Sequence, residues 1–197
     1  LPKDGDFELR SSPLAAPGEG PFLVAARYAS IDPALRVWMP QQKSYWPPVP
    51  LGDVMRASAI GEVVASRHPR FAVGAWVSGM LGVQDGLLSD GKGLRAFDPK
   101  QLPDPAWALS IFGGTGLTAY FGLGEIGKPK AGETLVVSAA AGAVGSTVVQ
   151  IGKILGCRVI GIAGGKAKCD WLVNDLGFDG AIDYKNEDVG AALDRLC

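Results

Sequence analysis

The sequence predicts an α/β protein in two parts: an all-β module over residues 1–105, then helices and parallel strands over residues 106–197. Three observations carry that reading. The first hundred residues hold short β-branched runs between glycine bends, and residues 134–163 read as strand, glycine turn, helix and strand. The 28 glycines and 14 prolines are punctuation that an all-helical bundle does not use. Hydrophobic types make up 47% of the 197 residues, enough for a core and against global disorder.

In the first part, Phe22 to Tyr28 and Ile60 to Ala65 carry the apolar and β-branched residues of strands, with Gly18-Glu19-Gly20 and Gly74-Ala75 as bends. Pro40 to Pro50 lies between them. Its prolines fix φ and remove backbone donors, so the stretch is a stiff aromatic loop around Tyr45 and Trp46, not a central strand. It serves either as a surface loop or as a wall over a ligand cleft. From Asp98 the character changes, and after Pro103 and Pro105 the chain crosses into its second part near residue 105. Ala106 to Gly124 reads as one or two buried helices built on Leu109, Phe112, Leu117, Tyr120 and Phe121, interrupted at Gly113-Gly114.

Thr134 to Ser138 is a short run suited to a strand buried on both faces, followed at once by Ala139-Ala140-Ala141-Gly142-Ala143-Val144-Gly145. Val144, Val148, Ile151 and Leu155 then recur at the spacing of one helix face. A glycine turn between strand and helix presents free N–H groups at the positive end of the helix dipole, which is a site for a phosphate-bearing ligand. Cys157 to Ala163 supplies the second strand, and the complete βαβ unit points to a dinucleotide. The glycine pattern departs from G-x-G-x-x-G, because Ala140 holds the first glycine position.

The end of the second strand selects the cofactor. An NAD site places a carboxylate there for the adenosine ribose, whereas this chain has Ala163-Gly164-Gly165-Lys166-Ala167-Lys168 and no acid before Asp170. Two lysines attract a 2′-phosphate and favour NADP; the competing reading is a solvated helix start. Cys169, Leu172, Val173 and Leu176 mark the next helix face, with Gly177 at its C-terminal cap and Phe178 as the cap's hydrophobic contact. Gly180 to Tyr184 reads as a third strand with Tyr184 at its carboxyl end. Val189, Leu193 and Leu196 begin another helix. Three parallel strands are half of the sheet that a dinucleotide straddles, so a C-terminal part is expected beyond Cys197. Leu1 is not a methionine, so a native beginning is expected upstream.

Charge excludes some partners. With 19 Lys plus Arg against 20 Asp plus Glu, the net charge of -1 lacks the footprint of a nucleic-acid or anionic-membrane binder. Two uncharged runs, Ala106 to Gly124 and Thr134 to Gly152, have the length of membrane spans but are broken by glycines and polar residues. Cys157, Cys169 and Cys197 are too few and too scattered for a disulfide framework or structural zinc, which fits a reducing, cytoplasmic setting. Residues 1–140 contain no Cys and one His, His68, so no catalytic zinc site is expected. His68, ahead of Pro69 between two strands, reads as a turn residue.

The chain resembles the medium-chain dehydrogenase/reductase superfamily, in its zinc-independent branch of prostaglandin reductases, leukotriene hydroxydehydrogenases and alkenal double-bond reductases. The resemblance is carried by Ser30-Ile31-Asp32-Pro33 with Arg36, Ser44-Tyr45, Gly116 to Gly122, Ala139 to Gly145, Gly156 to Val159, Leu176-Gly177-Phe178 and Asp183-Tyr184-Lys185. It implies a GroES-like β-barrel for residues 1–105 and the first half of a Rossmann sheet after it. It further implies NADP(H) as cofactor and reduction of the carbon–carbon double bond of an α,β-unsaturated aldehyde or ketone. On this resemblance Gly142, Ala143, Val144 and Gly145 hold the pyrophosphate; Gly165, Lys168 and Tyr184 surround the adenosine phosphate end; Thr118 lies near the nicotinamide. Tyr45 is a candidate wall of the substrate pocket, with packing within its loop as the alternative. No proton donor is named. A homodimer paired through the Rossmann sheet edge is a further expectation of the resemblance. Ala34 stands where family members often carry Tyr after the Asp-Pro pair, and Gly124 replaces a more typical leucine. A quinone reductase of the same superfamily and a non-catalytic nucleotide-binding module are the competing functions.

Overall fold

A computed structural model describes residues 2–14, 16–39 and 45–197. They form two units, Leu1–Leu109 and Ser110–Cys197, each with its own core. The expected loop from Pro40 to Pro50 is described from Tyr45 onward, and Ser44 of the family resemblance lies outside the described residues.

In the first unit five antiparallel strands run in the order β4-β1-β2-β3-β5. They are β1 (Phe22–Ala29), β2 (Ala59–Ser66), β3 (Trp76–Gly79), β4 (Gly86–Ser89) and β5 (Arg95–Phe97). Period-2 alternation turns Phe22 and Val24 inward, where they meet Ala59, Val63, Phe71, Val77 and Leu81. The register of β1 on β2 shifts between Leu23 and Val24 and again between Ala26 and Tyr28, irregularities that bend and twist a strand. Gly61 admits the neighbouring strand closely: a Cβ there would sit 2.5 Å from the Ala25 carbonyl oxygen. His68 stands in the turn after β2, its ring edge-on to Phe22 and its Nδ1 accepting the Arg70 N–H at 3.1 Å. A second, smaller core joins Leu35 of α1 (Pro33–Val37) to Trp38 and Ala57, with Ala34 packed against it. Alanine at 34 therefore fills space inside this unit.

In the second unit β6 (Thr134–Val137), β7 (Arg158–Ala163) and β8 (Gly180–Asp183) form a parallel sheet in that order. α3 (Ala143–Ile154) connects β6 to β7, and α4 (Lys166–Asn174) connects β7 to β8. Val159 and Ala163 of β7 face a core shared with Val149 of α3, Leu172 of α4 and Phe178. Ile160 faces the opposite core, with Ile182 and Ala192 of α5 (Val189–Leu196). Helices thus cover both faces of β7, the doubly wound arrangement whose ligands sit beyond the carboxyl ends of the strands.

Four expectations need correction. Within these 197 residues the strand at 134–138 is not buried on both faces: Val136 is 40% exposed, since only β7 pairs with β6 among the described residues and α5 packs on β8. The buried stripe of α3 is Gly145, Val149 and Gly152, while Leu155 is exposed and Val144 and Ile151 are half-buried. Hydropathy favours the large side chains, but the helix approaches the sheet through glycines; a Cβ on Gly152 would lie 2.6 Å from Leu135. Along 106–124 the chain forms a 3-10 turn, Pro105–Ala108, then α2 (Gly114–Phe121), which continues in π-type turns over Gly122–Gly127. The break at Gly113 is present, yet Leu117, Tyr120 and Phe121 are exposed, because α2 buries its small side, Gly116 and Ala119. In α4, Leu172 is buried and Val173 exposed. The cap of α4 follows expectation: Gly177 has φ 69° and Phe178 donates its N–H back to the Leu172 carbonyl at 3.1 Å. Among the described residues no helix is long and apolar enough to cross a membrane.

Candidate functional site

The turn from β6 into α3 begins at Ala139, whose φ of 47° is left-handed. For a non-glycine residue that conformation costs about 1–2 kcal/mol, strain of the kind concentrated at ligand sites. The Ala139 carbonyl accepts the Gly142 N–H at 2.8 Å and closes the turn. The first ladder bond of α3 runs from Ser146 N–H to the Gly142 carbonyl at 2.8 Å. The N–H groups of Ala143, Val144 and Gly145 precede it and have no acceptor one helical turn back. Glycine is required at 145, where a Cβ would meet the Ala139 carbonyl oxygen at 2.5 Å and Ala140 Cα at 2.8 Å.

β7 ends beside this turn. Gly164 lies under the ring of Tyr184, so close that a Cβ would come within 2.8 Å of three atoms of the phenol. Gly165 follows at φ 98° and donates its N–H to Asp183 Oδ1 at 2.7 Å. Asp183 also accepts from Lys185 N–H at 3.1 Å and from Asn186 Nδ2 at 2.7 Å. It is the one buried charged residue among those described, 8% exposed. The Gly165 N–H first, and the Asn186 amide next, hold its carboxyl below the usual carboxylate range. Glu187 braces the same turn: its Oε1 accepts the Asp183 N–H at 3.1 Å, and its carboxyl is likewise lowered.

A cavity of about 220 Å³ opens between the two turns, lined by Ala139, Ala141, Gly142, Ala163, Gly164, Lys168 and Tyr184. It contains one cationic side chain and no carboxylate. Lys166 is spent elsewhere, its ammonium 2.6 Å from the Asp170 carboxylate one helical turn on. The two lysines therefore differ: Lys166 is a paired, solvated residue at the start of α4, and Lys168 faces the cavity. Burial first, and then the neighbouring Asp183 and Glu187 charges, push the Cys169 thiol up, so it stays protonated.

Of the residues expected around a dinucleotide, Gly142, Lys168 and Tyr184 are gathered in this cavity. Ala143, Val144 and Gly145 open the helix directly after Gly142. Gly165 adjoins Gly164, but its N–H belongs to Asp183. Thr118 stands on α2, its hydroxyl donating to the Gly114 carbonyl at 2.7 Å, and it does not line the cavity. Tyr45 lies in the first unit, 72% exposed, with its ring edge-on to Trp38 at 6.2 Å. Gly164 and Asp183 are present in the sequence motifs, but no site role is expected of either. The paired glycines at the strand end were the available signal for Gly164, and nothing local marks Asp183 as the partner of a turn on another strand.

Residues 1–97 match the family model described as the N-terminal domain of oxidoreductase. The chain is 45% identical, over all its length, to an NADPH-dependent curcumin reductase of Escherichia coli, and covers 56% of that protein. It is 43% identical to prostaglandin reductase 1 of Rattus norvegicus, with 94% of this chain and 54% of that protein covered. Among solved structures, CurA from Vibrio vulnificus in complex with NADPH superposes with a TM-score of 0.91 at 46% identity, covering all of this chain and 58% of that one. The chain thus spans little more than half the length of these relatives. Strand order, glycine turn and relatives agree that the chain belongs to the medium-chain dehydrogenase/reductase superfamily, in the branch of the curcumin and prostaglandin reductases.

Proposed function

We propose that this chain is the antiparallel-sheet unit and the nucleotide-binding half-sheet of an NADPH-dependent reductase acting on the carbon–carbon double bond of α,β-unsaturated aldehydes or ketones without zinc. The observation that carries this reading is the cavity that places the opening of α3 beside Lys168 with no carboxylate in its wall. The residues fit the adenosine half of NADPH. The N–H groups of Ala143, Val144 and Gly145 suit its pyrophosphate, and Gly142 leaves the backbone bare for close approach. Lys168 suits the 2′-phosphate, and the Tyr184 ring offers a flat apolar face beside it. Asp183 holds the Gly164-Gly165 turn in shape while its own charge is consumed by three donors.

When bound, the cofactor supplies a hydride. The chain's part is to fix the cofactor's phosphates and so orient it, a role in which misplacement by about 1 Å costs rate on the order of 10²-fold. The zinc-free reading rests on the ligand count of the sequence, since the lone His68 is occupied in its turn by Arg70. Relatives that carry curcumin and prostaglandin reductase activity in their names support an enone substrate. The balanced charge and the three free cysteines support a cytoplasmic setting. The test is turnover by the whole protein with a simple conjugated enone, followed by the loss of NADPH absorbance. Enone-dependent oxidation that persists in EDTA is expected; loss of activity on chelation, or equal rates with NADH, contradicts the reading.

A further inference from the structure

The first unit carries a second cavity, about 260 Å³, that the nucleotide reading leaves unused. One wall is apolar, made by Val54, Met80, Leu81 and Leu87. The other is polar and cationic, made by Arg56 and Gln84 beside Trp46. The Arg56 guanidinium lies 5.0 Å from the Trp46 ring centre and 5.4 Å from that of Trp38. The two indoles are themselves stacked, 5.5 Å apart and inclined by 24°. Flanking rings hold a guanidinium in place, because cation–π attraction and stacking both favour a flat cation over an indole face.

Arg56 is thus positioned and underused. One of its N–H groups donates to the Pro47 carbonyl at 2.9 Å. No carboxylate pairs with it among the described residues, unlike Arg10, Arg27 and Arg195, each of which has one. Gln84 gives an N–H to the Leu81 carbonyl at 2.6 Å, and the buried Nε1–H of Trp38 has no acceptor among the described residues. The cluster is therefore rich in donors and short of acceptors. A fork of guanidinium N–H groups matches a carboxylate in two parallel hydrogen bonds, and the cavity is larger than the ~150 Å³ that encloses a benzene ring.

We propose that this cavity binds a small aryl carboxylate, its anionic head on Arg56 and its ring among Val54, Met80, Leu81 and Leu87. Met80 suits an aromatic occupant, since a thioether packs favourably at a ring edge. The inference does not depend on the nucleotide reading, and its test contains no nucleotide. The probe is trans-cinnamate, titrated into the 197-residue chain and followed by tryptophan fluorescence and by calorimetry, with methyl cinnamate as its uncharged counterpart. Cinnamate should quench the tryptophan signal at saturation and bind at least about tenfold more tightly than the ester, the range of a charge-assisted hydrogen bond. Arg56→Lys keeps the charge but loses the fork, and should weaken cinnamate while leaving the ester unchanged. Val54→Trp leaves Arg56 and both stacked indoles in the sequence but fills the cavity they line, and should abolish binding of both while the melting temperature is kept. Equal affinity for acid and ester, wild-type affinity in Val54→Trp, or no binding of cinnamate to the wild-type chain would each overturn the proposal.

Discussion

Lys168 and Lys166 are two residues apart on one helix start, yet only one can serve a phosphate. The Lys166 ammonium is held by Asp170, and an exposed pair of this kind contributes about 0.3–0.5 kcal/mol on a helix surface. Lys168 faces a cavity without carboxylates. Replacing Lys168 by Ala should lower affinity for NADPH about 10- to 100-fold, the loss of one charge-assisted hydrogen bond, and leave NADH nearly unaffected. Replacing Lys166 by Ala should change neither affinity appreciably. Asp183 makes a different prediction, one of pH. Its carboxyl is lowered in the folded chain by the Gly165 N–H and the Asn186 amide. A lowered folded pKa stabilises the fold above the unfolded value of about 3.9 and loses that support as pH falls through the folded value. Thermal melts of Asp183→Asn should therefore lie below wild type at neutral pH, with the gap closing under acid conditions; a gap that persists or widens there would contradict the assignment.

At the scale of elements, α3 shows how close packing outranks hydropathy. Its large residues, Val144, Val148, Ile151 and Leu155, define a stripe on paper, of which Val148 packs against the core, but Gly145 and Gly152 let the helix axis approach β6 and β7, and Val149 between them is fully buried. A periodicity scan weighs side-chain size and is blind to a contact whose value lies in having no side chain. Gly145→Ala should force α3 away from Ala139 and cost about 1–3 kcal/mol, read as a lower melting temperature. Gly124→Ala is the matched control, since a Cβ there meets nothing within 4 Å. It should be neutral or stabilise by up to about 1 kcal/mol through the unfolded chain. The βαβ unit and the cap at Gly177 were legible because they depend on local chain chemistry: β-branched runs, small residues at a turn, a positive φ. The burial of α2 and β6 was not legible, because it depends on which neighbours cover each face. Asp183 was hidden for a related reason: its partner, Gly165, sits on a turn brought alongside only by the parallel pairing of β7 and β8.

At the scale of the molecule there are two units: an antiparallel sheet with a cationic, aromatic cavity, and a parallel half-sheet with the turn proposed to bind the nucleotide. The chain covers 56% of the Escherichia coli curcumin reductase, yet the adenosine side of the proposed site falls within it, in the turns after β6 and β7. Hydrogen exchange should therefore show that adenosine 2′,5′-bisphosphate slows the amides at the opening of α3 and the β7–α4 turn, while those of β1 and β2 keep their rates. Protection in the first unit alone would place the nucleotide elsewhere. The most direct test of the central claim is calorimetric titration of the 197-residue chain with adenosine 2′,5′-bisphosphate and with 5′-AMP, repeated on Lys168→Ala. The account predicts that the bisphosphate binds the wild-type chain at least about tenfold more tightly and that this advantage disappears in the variant. Equal affinity for both nucleotides in the wild-type chain, or an advantage that survives the substitution, would contradict it.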